Sequence, residues 1–168
     1  MHYLYRLLWN RSIAEELTQE VFLRVFRAAN TYKPKTSFRT WIFQIATNLA
    51  RNERRRAEYS VQRIPLSANA RRWDEARQEE RHDPTAEDPE VMTEARRMEE
   101  MVQQILSELP ERQRAALILC RVHGMPYREI AEILQLRVGA VKSLIHRATV
   151  TLRRGVAPFI PGDEREGA

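Results

Sequence analysis

The 168-residue chain is poor in the features that mark several large protein classes. A single cysteine, Cys120, rules out an internal disulfide. There are only five glycines, and they form no loop of the kind that cradles phosphates. The four histidines, at 2, 82, 123 and 146, share no helical face with cysteine or carboxylate at metal-ligand spacing. No apolar run is long enough to cross a bilayer, and no leader signature opens the chain. These shortages argue against an enzyme, a bound cofactor or metal, and membrane insertion, and they point to the cytoplasm. Cys120 lies among Leu117, Ile118, Leu119 and Val122, which predicts a buried free thiol.

Charge is plentiful and uneven. Lys and Arg number 28 against 23 Asp and Glu, a net charge of +5. Residues 1–60 carry 11 basic and 5 acidic groups, and residues 111–168 carry 10 and 6. The stretch between them is acidic on balance. Two basic bodies separated by an acidic middle fit two nucleic-acid contacts better than one uniform field.

The strongest pattern lies in residues 110–154, PERQRAALILCRVHGMPYREIAEILQLRVGAVKSLIHRATVTLRR. An apolar helix ends at Gly124, and a short helix is expected from Pro126 to Gln135, with proline in its first turn. Ile130, Ala131, Ile133 and Leu134 would form its buried face. A longer helix is expected from Val138 to Arg154, with Val141, Ile145, Ala148 and Leu152 facing the core. Its other side carries Gly139, Lys142, Ser143, His146, Arg147, Thr149 and Arg153. This is the layout of a helix-turn-helix, whose last helix enters the DNA major groove. Lys142, Arg147, Arg153 and Arg154 would gain affinity through counterion release. Arg137, Lys142, Ser143 and His146 stand where side chains reach base edges. The competing reading is an amphipathic hairpin with a solvated basic face.

A second block covers residues 3–56. Ser12 with Glu15 reads as a capping box opening a helix to Ala29. Its expected core stripe is Leu17, Val21, Phe22, Val25, Phe26 and Ala29, and its outer side holds Glu16, Gln19, Glu20, Leu23, Arg24 and Arg27. Residues 30–36 read as a loop containing Lys33 and Lys35. Ser37 can cap a further helix from Phe38 to Glu58. Phe38, Trp41, Ile42, Ile45 and Leu49 are expected inside, and Thr40, Gln44, Thr47, Asn48, Arg51, Asn52 and Arg55 outside. A helix with aromatic rings and terminal arginines suits single-stranded nucleic acid, whose bases stack while cations hold the backbone. Those rings serve equally well as core, and the arginines also complement the helix dipole.

Residues 59–88 lack a sustained apolar period and read as a flexible linker, with Trp73 unassigned between a short turn and a partner contact. Some 30 residues could extend to ~100 Å, more than two turns of B-DNA. A helix is expected to start at Asp88–Pro89 and to pack Val91, Ala95, Met98, Met101, Val102, Ile105 and Leu109 onto the helix-turn-helix. The tail from residue 156 is expected to be disordered.

Taken together, AEELTQEVFLRVFRA, SFRTWIFQIATNLARNERRR, LPERQRAALILCRVHGMPYREIAEIL and AVKSLIHRA resemble a bacterial sigma factor of the extracytoplasmic-function group, in the sigma-70 family. The resemblance implies an all-α protein of two small helical domains joined by a flexible linker, the C-terminal one a helix-turn-helix. Residues 1–58 would be the domain that binds core RNA polymerase and opens the -10 promoter element. Residues 89–155 would bind the -35 element of promoter DNA. An anti-sigma factor is an implied partner. By position, Glu16, Gln19, Glu20, Leu23 and Arg27 would meet the polymerase. Lys33, Lys35, Thr36, Asn48, Arg51, Asn52 and Arg55 would hold the -10 strand. Arg137, Gly139, Lys142, Ser143, His146 and Arg147 would lie on the -35 duplex.

Three departures accompany the resemblance. The family places a further helix ahead of the one that starts here, so Leu7, Leu8 and part of the Phe22 and Phe26 surface are expected to be exposed. Arg137 and Ala140 stand where the family commonly has serine and threonine at the recognition-helix cap, which typically costs ~1 kcal/mol. Leu144 and Thr149 stand in place of usual arginines, which should weaken -35 binding or shift its preference. The rival readings are a stand-alone helix-turn-helix regulator that reads a palindrome, and a protein adaptor that touches no DNA.

Overall fold

The computed structural model describes residues 1–29, 36–63 and 94–159. Among these residues the fold is all-α, with seven helices, a terminal 3-10 turn and no strand. The N-terminal half holds α1 (His2–Leu8), α2 (Arg11–Ala28) and α3 (Phe38–Arg63). The C-terminal half holds α4 (Glu94–Glu108), α5 (Glu111–Arg121), α6 (Tyr127–Leu134) and α7 (Val138–Val156).

Helix α1 closes at Trp9, whose φ of 53° turns the chain left-handed. That turn delivers Asn10 in extended conformation, and its Oδ1 accepts the Ile13 N–H at 2.9 Å. Asn10 is therefore the cap of α2, and the expected capping box at Ser12 lies inside the first turn. Asparagine caps as well as serine does, so the residue that the Trp9 turn presents takes the role.

The inner stripe of α2 is Ala14, Leu17 and Val21, with Val25 partly buried. Phe22 and Phe26 were expected in that stripe, yet they are 63% and 81% exposed. At roughly 100° per residue they point about a quarter turn or more away from the line of the other four. Leu7 and Leu8 were expected to be exposed, yet both are buried. Helix α1 packs on α2 and α3 and also on α5, where Arg114 donates to the Leu7 carbonyl at 2.7 Å.

Ser37 caps α3 as expected, its Oγ accepting the Thr40 N–H at 3.1 Å. Two threonines expected on the outside are buried instead. Thr47 shares a hydrogen bond of 2.7 Å with the Tyr3 hydroxyl and also donates to the Phe43 carbonyl. Thr40 donates to the Glu129 carboxylate at 2.9 Å. A hydroxyl with a partner can be buried at little cost, which is why the polar pattern misplaced both. Phe38, expected inside, is 53% exposed, while the small residues Ala46 and Ala50 are buried beside Leu49. Helix α3 runs through Arg63, so residues 59–63 continue the helix rather than open the linker. Trp73 and the expected helix start at Asp88–Pro89 lie outside the described residues.

In the C-terminal half, Gly124 (φ 61°) turns the chain out of α5. Pro126 precedes α6, and Gln135 (φ 55°) ends it. Ile130, Ala131, Ile133 and Leu134 are buried as the spacing predicts, as are Val141, Ile145 and Ala148 on α7. Helix α4 packs along α7, where a Cβ on Gly155 would stand 2.5 Å from Cδ1 of Ile105. The chain is helical to Val156 and makes a 3-10 turn at Ala157–Phe159, beyond the expected start of the tail. Cys120 is half-exposed rather than buried, because it lies in the last turn of α5 beside the face that buries Leu119.

The two halves are not held apart. Helix α1 packs on α5 and α3 packs on α6, so one set of buried side chains runs through both. Arg114 is the polar centre of this contact. Besides Leu7, its guanidinium donates to the carbonyls of Ser107 (2.6 Å) and Leu109 (3.0 Å). Burial and the nearby Arg54 lower its pKa to about 10, which leaves it charged at neutral pH.

Candidate nucleic-acid interface

Helix α7 presents its reading face because its other face is fixed in the core. With Val141, Ile145 and Ala148 buried, Gly139, Lys142, Ser143, His146 and Arg147 are exposed together. Lys142, Ser143, His146 and Arg147 line one shallow open depression. Two of these side chains are tethered to their own helix. The Ser143 hydroxyl donates to the Gly139 carbonyl at 3.1 Å, and Arg147 Nε donates to the Ser143 carbonyl at 3.3 Å. Arg147 is thereby held against its own helix, yet remains exposed. Arg137 precedes the first turn in extended conformation and makes no side-chain cap bond. Val138 and Gly139, which open α7, are exposed beside this cation, a setting that attracts phosphate oxygens. Leu144 and Thr149 occupy half-buried positions, and the Thr149 hydroxyl bonds back to the Ile145 carbonyl.

The second proposed face lies on α3. Asn48, Arg51, Asn52 and Arg55 fall at helical spacing and share one side. Asn52 and Arg55 are exposed, and Asn48 and Arg51 are half-buried. Arg51 Nε stands 4.0 Å from Glu111 Oε1, so it reaches toward α5 in this arrangement. Thr36 is half-buried just ahead of the Ser37 cap. Lys33 and Lys35 lie outside the described residues.

The outer face of α2 groups the residues expected to meet a protein. Glu16, Gln19, Leu23 and Arg27 are exposed, and Glu20 pairs with Arg24 at 2.7 Å. Phe22 and Phe26 adjoin this face and make it more apolar than the sequence suggested. The signal was present in Ala14, whose small side chain marks the true line of close packing on α2. Among the described residues no group of histidine, cysteine and carboxylate side chains could hold a metal. No described helix is long and apolar enough to cross a membrane.

Comparison with known proteins places both halves. The family model for sigma-70 region 2 matches residues 1–59, and that for sigma-70 region 4 matches residues 99–152. The ECF RNA polymerase sigma factor SigE of Mycolicibacterium smegmatis is 39% identical over 149 residues, 89% of this chain and 54% of that protein. The chain thus spans about half the length of that relative. The ECF RNA polymerase sigma-E factor of Escherichia coli is 32% identical over 86% of this chain and 74% of its own length. The RNA polymerase sigma-H factor of Pseudomonas aeruginosa is 30% identical over 88% and 75%. Among solved structures, the sigma factor RpoE of Bartonella quintana, in complex with the anti-sigma factor NepR, superposes with a TM-score of 0.60. It covers 98% of this chain and 90% of its own at 20% identity. CnrH, in complex with the cytosolic domain of CnrY, gives a TM-score of 0.58 at 20% identity, covering 92% and 79%. Two region matches and relatives that align over most of this chain lead to one conclusion: the chain belongs to the extracytoplasmic-function group of the sigma-70 family.

Proposed function

We infer that the protein is a transcription initiation factor that binds core RNA polymerase and directs it to a set of promoters. It supplies recognition, and the polymerase supplies the chemistry, so the protein itself is not an enzyme. The observation that carries this reading is the α7 surface, where Lys142, Ser143, His146 and Arg147 are exposed over a helix whose opposite side is buried. In the helix-turn-helix geometry that surface enters the major groove of the -35 element, with Arg137 and Gly139 at the phosphate-facing end. Lys142 and Arg147 contribute counterion release as well as base contacts. Asn48, Arg51, Asn52 and Arg55, with Thr36, Lys33 and Lys35, hold the separated strand at the -10 element, where amides and cations suit splayed bases and their backbone. Glu16, Gln19, Glu20, Leu23 and Arg27 on α2 dock on the polymerase. The protein works in the cytoplasm, where its polymerase is, and its fold neighbour in complex with an anti-sigma factor supports a masking partner of that kind.

Run-off transcription with core polymerase on a promoter library tests the reading. Defined start sites should appear only when the protein is added. K142A with R147A should abolish -35 dependence and leave association with the polymerase intact, and Q19A with E20A should do the reverse. Equal behaviour of the two pairs in a polymerase pull-down would show that the faces are misassigned. Tight binding to a duplex site without polymerase would instead favour a stand-alone regulator.

A further inference from the structure

The contact between the two halves contains a histidine, His123. His123 follows α5, just before the Gly124 turn. Its ring meets Phe43 of α3 edge-on, with centroids 4.7 Å apart, and Tyr3 of α1 at 5.6 Å. Tyr3 and Phe43 touch each other at 5.0 Å, so three rings from opposite halves form one cluster. The Nε2 atom of His123 is buried and has no hydrogen-bond partner. Its backbone carbonyl accepts from the Arg39 guanidinium, which also lies over Phe43.

We propose that this contact is a proton-sensitive latch: with His123 neutral the halves stay closed, and a proton on its ring lets them part. A protonated imidazole needs an acceptor for each N–H. Its buried Nε2 has no acceptor within reach, and the surrounding rings offer no lone pair. The charged and titratable groups that face it are Arg39 from α3, with Arg6, His2 and the Met1 amine from α1, all cationic or able to become so. Tyr3 is no acceptor of charge either: its hydroxyl is bonded to Thr47, and burial pushes its pKa well up. Glu129 on α6 is already engaged by Thr40. Burial first, then those cations, hold the His123 pKa below its ordinary value.

The sign follows. The pKa is depressed in the closed form, so closure has its full strength above the ordinary value of about 6.5 and loses it as pH falls through the lower, closed-form value. The closed-to-open ratio drops about tenfold for each pH unit separating the two titrations. The consequence for promoters rests on the function proposed above. A compact chain of this length is about 40 Å across. The -35 and -10 elements lie about 25 base pairs, or roughly 85 Å, apart on B-DNA. Closed, the protein cannot occupy both.

The test reads the separation of the halves in the full chain, without polymerase or DNA. Donor and acceptor dyes are placed on exposed sites of α2 and α7 (S12C and T151C, with C120S), and energy transfer is measured at pH 7.5 and 5.5. This window lies above the ordinary carboxylate range. With His123 present, transfer should fall at pH 5.5 while the helical circular dichroism stays unchanged. H123F keeps a ring but takes no proton, and should hold high transfer at both pH values. H123Q, neutral throughout, should match it and serves if H123F folds poorly. Equal transfer at the two pH values with His123 present overturns the latch. So does a fall of the same size in the neutral variants, or a loss of helix that accounts for the change. None of these outcomes touches the transcription result, and failure of run-off transcription would leave the latch standing.

Discussion

Replacing Arg114 by methionine gives the most direct measure of what joins the two halves. The substitution keeps an unbranched apolar stem in a site that is 4% exposed, and removes the guanidinium. Three carbonyls then lose their donor: Leu7 across the contact, and Ser107 and Leu109 at the joint between α4 and α5. Hydrogen bonds to a charged group contribute roughly 1.5–3 kcal/mol each. The full sum is not expected, because the cation no longer has to be buried and the half-exposed Ser107 can turn to water. A net loss of about 3 kcal/mol remains. For a chain of this size that lowers Tm by roughly 9 °C. R114K restores one point charge but no planar fork, and should recover only part of the loss. Calorimetry of the three proteins at pH 7.5 checks the reasoning. A Tm for R114M within about 2 °C of the parent would mean that Arg114 does not organise this contact.

The observed helix cap makes a paired prediction. N10A should cost about 1 kcal/mol, or roughly 3 °C in Tm, while S12A should leave Tm unchanged. At the α4–α7 contact, G155A would set a methyl against Ile105. Overpacking outweighs the gain in helix propensity by about 1 kcal/mol, and in an I105A background, which removes every crowding carbon, the same G155A change should no longer be destabilising in thermal melts. Removing both Lys142 and Arg147 should flatten the log–log salt dependence of duplex binding by polymerase holoenzyme by about 1.8, which titrations at several salt concentrations would read. In the buried pair, Y3F should lower stability by about 1 kcal/mol in denaturant unfolding, because Thr47 keeps only its bond to the Phe43 carbonyl.

The C-terminal half was legible from its pattern. Ile130, Ala131, Ile133, Leu134, Val141, Ile145 and Ala148 repeat at helical spacing and are buried, which by itself orients Lys142, Ser143, His146 and Arg147 outward. The N-terminal half was less legible, because its burial is partly polar and partly contributed by the other half. Thr40 and Thr47 look like surface residues until Glu129 and Tyr3 are seen to partner them. Leu7 and Leu8 look uncovered until α1 is packed against α2, α3 and α5. Phe22 and Phe26 look like core because they are aromatic and follow Val21 and Val25, yet an offset of about a quarter turn or more puts both outside.

Sequence alone determined most of the helices, the family resemblance and the outward face of α7, because those depend on local periodicity and on residues close together in the chain. Only the tertiary structure decided which half covers which. Arg114 and Leu7 are 107 residues apart, and Thr40 and Glu129 are 89 apart. No pattern within a helix encodes such pairings. They follow from the shape and polarity of whole surfaces brought together, where an unpartnered buried guanidinium or hydroxyl would cost more than the contact could return.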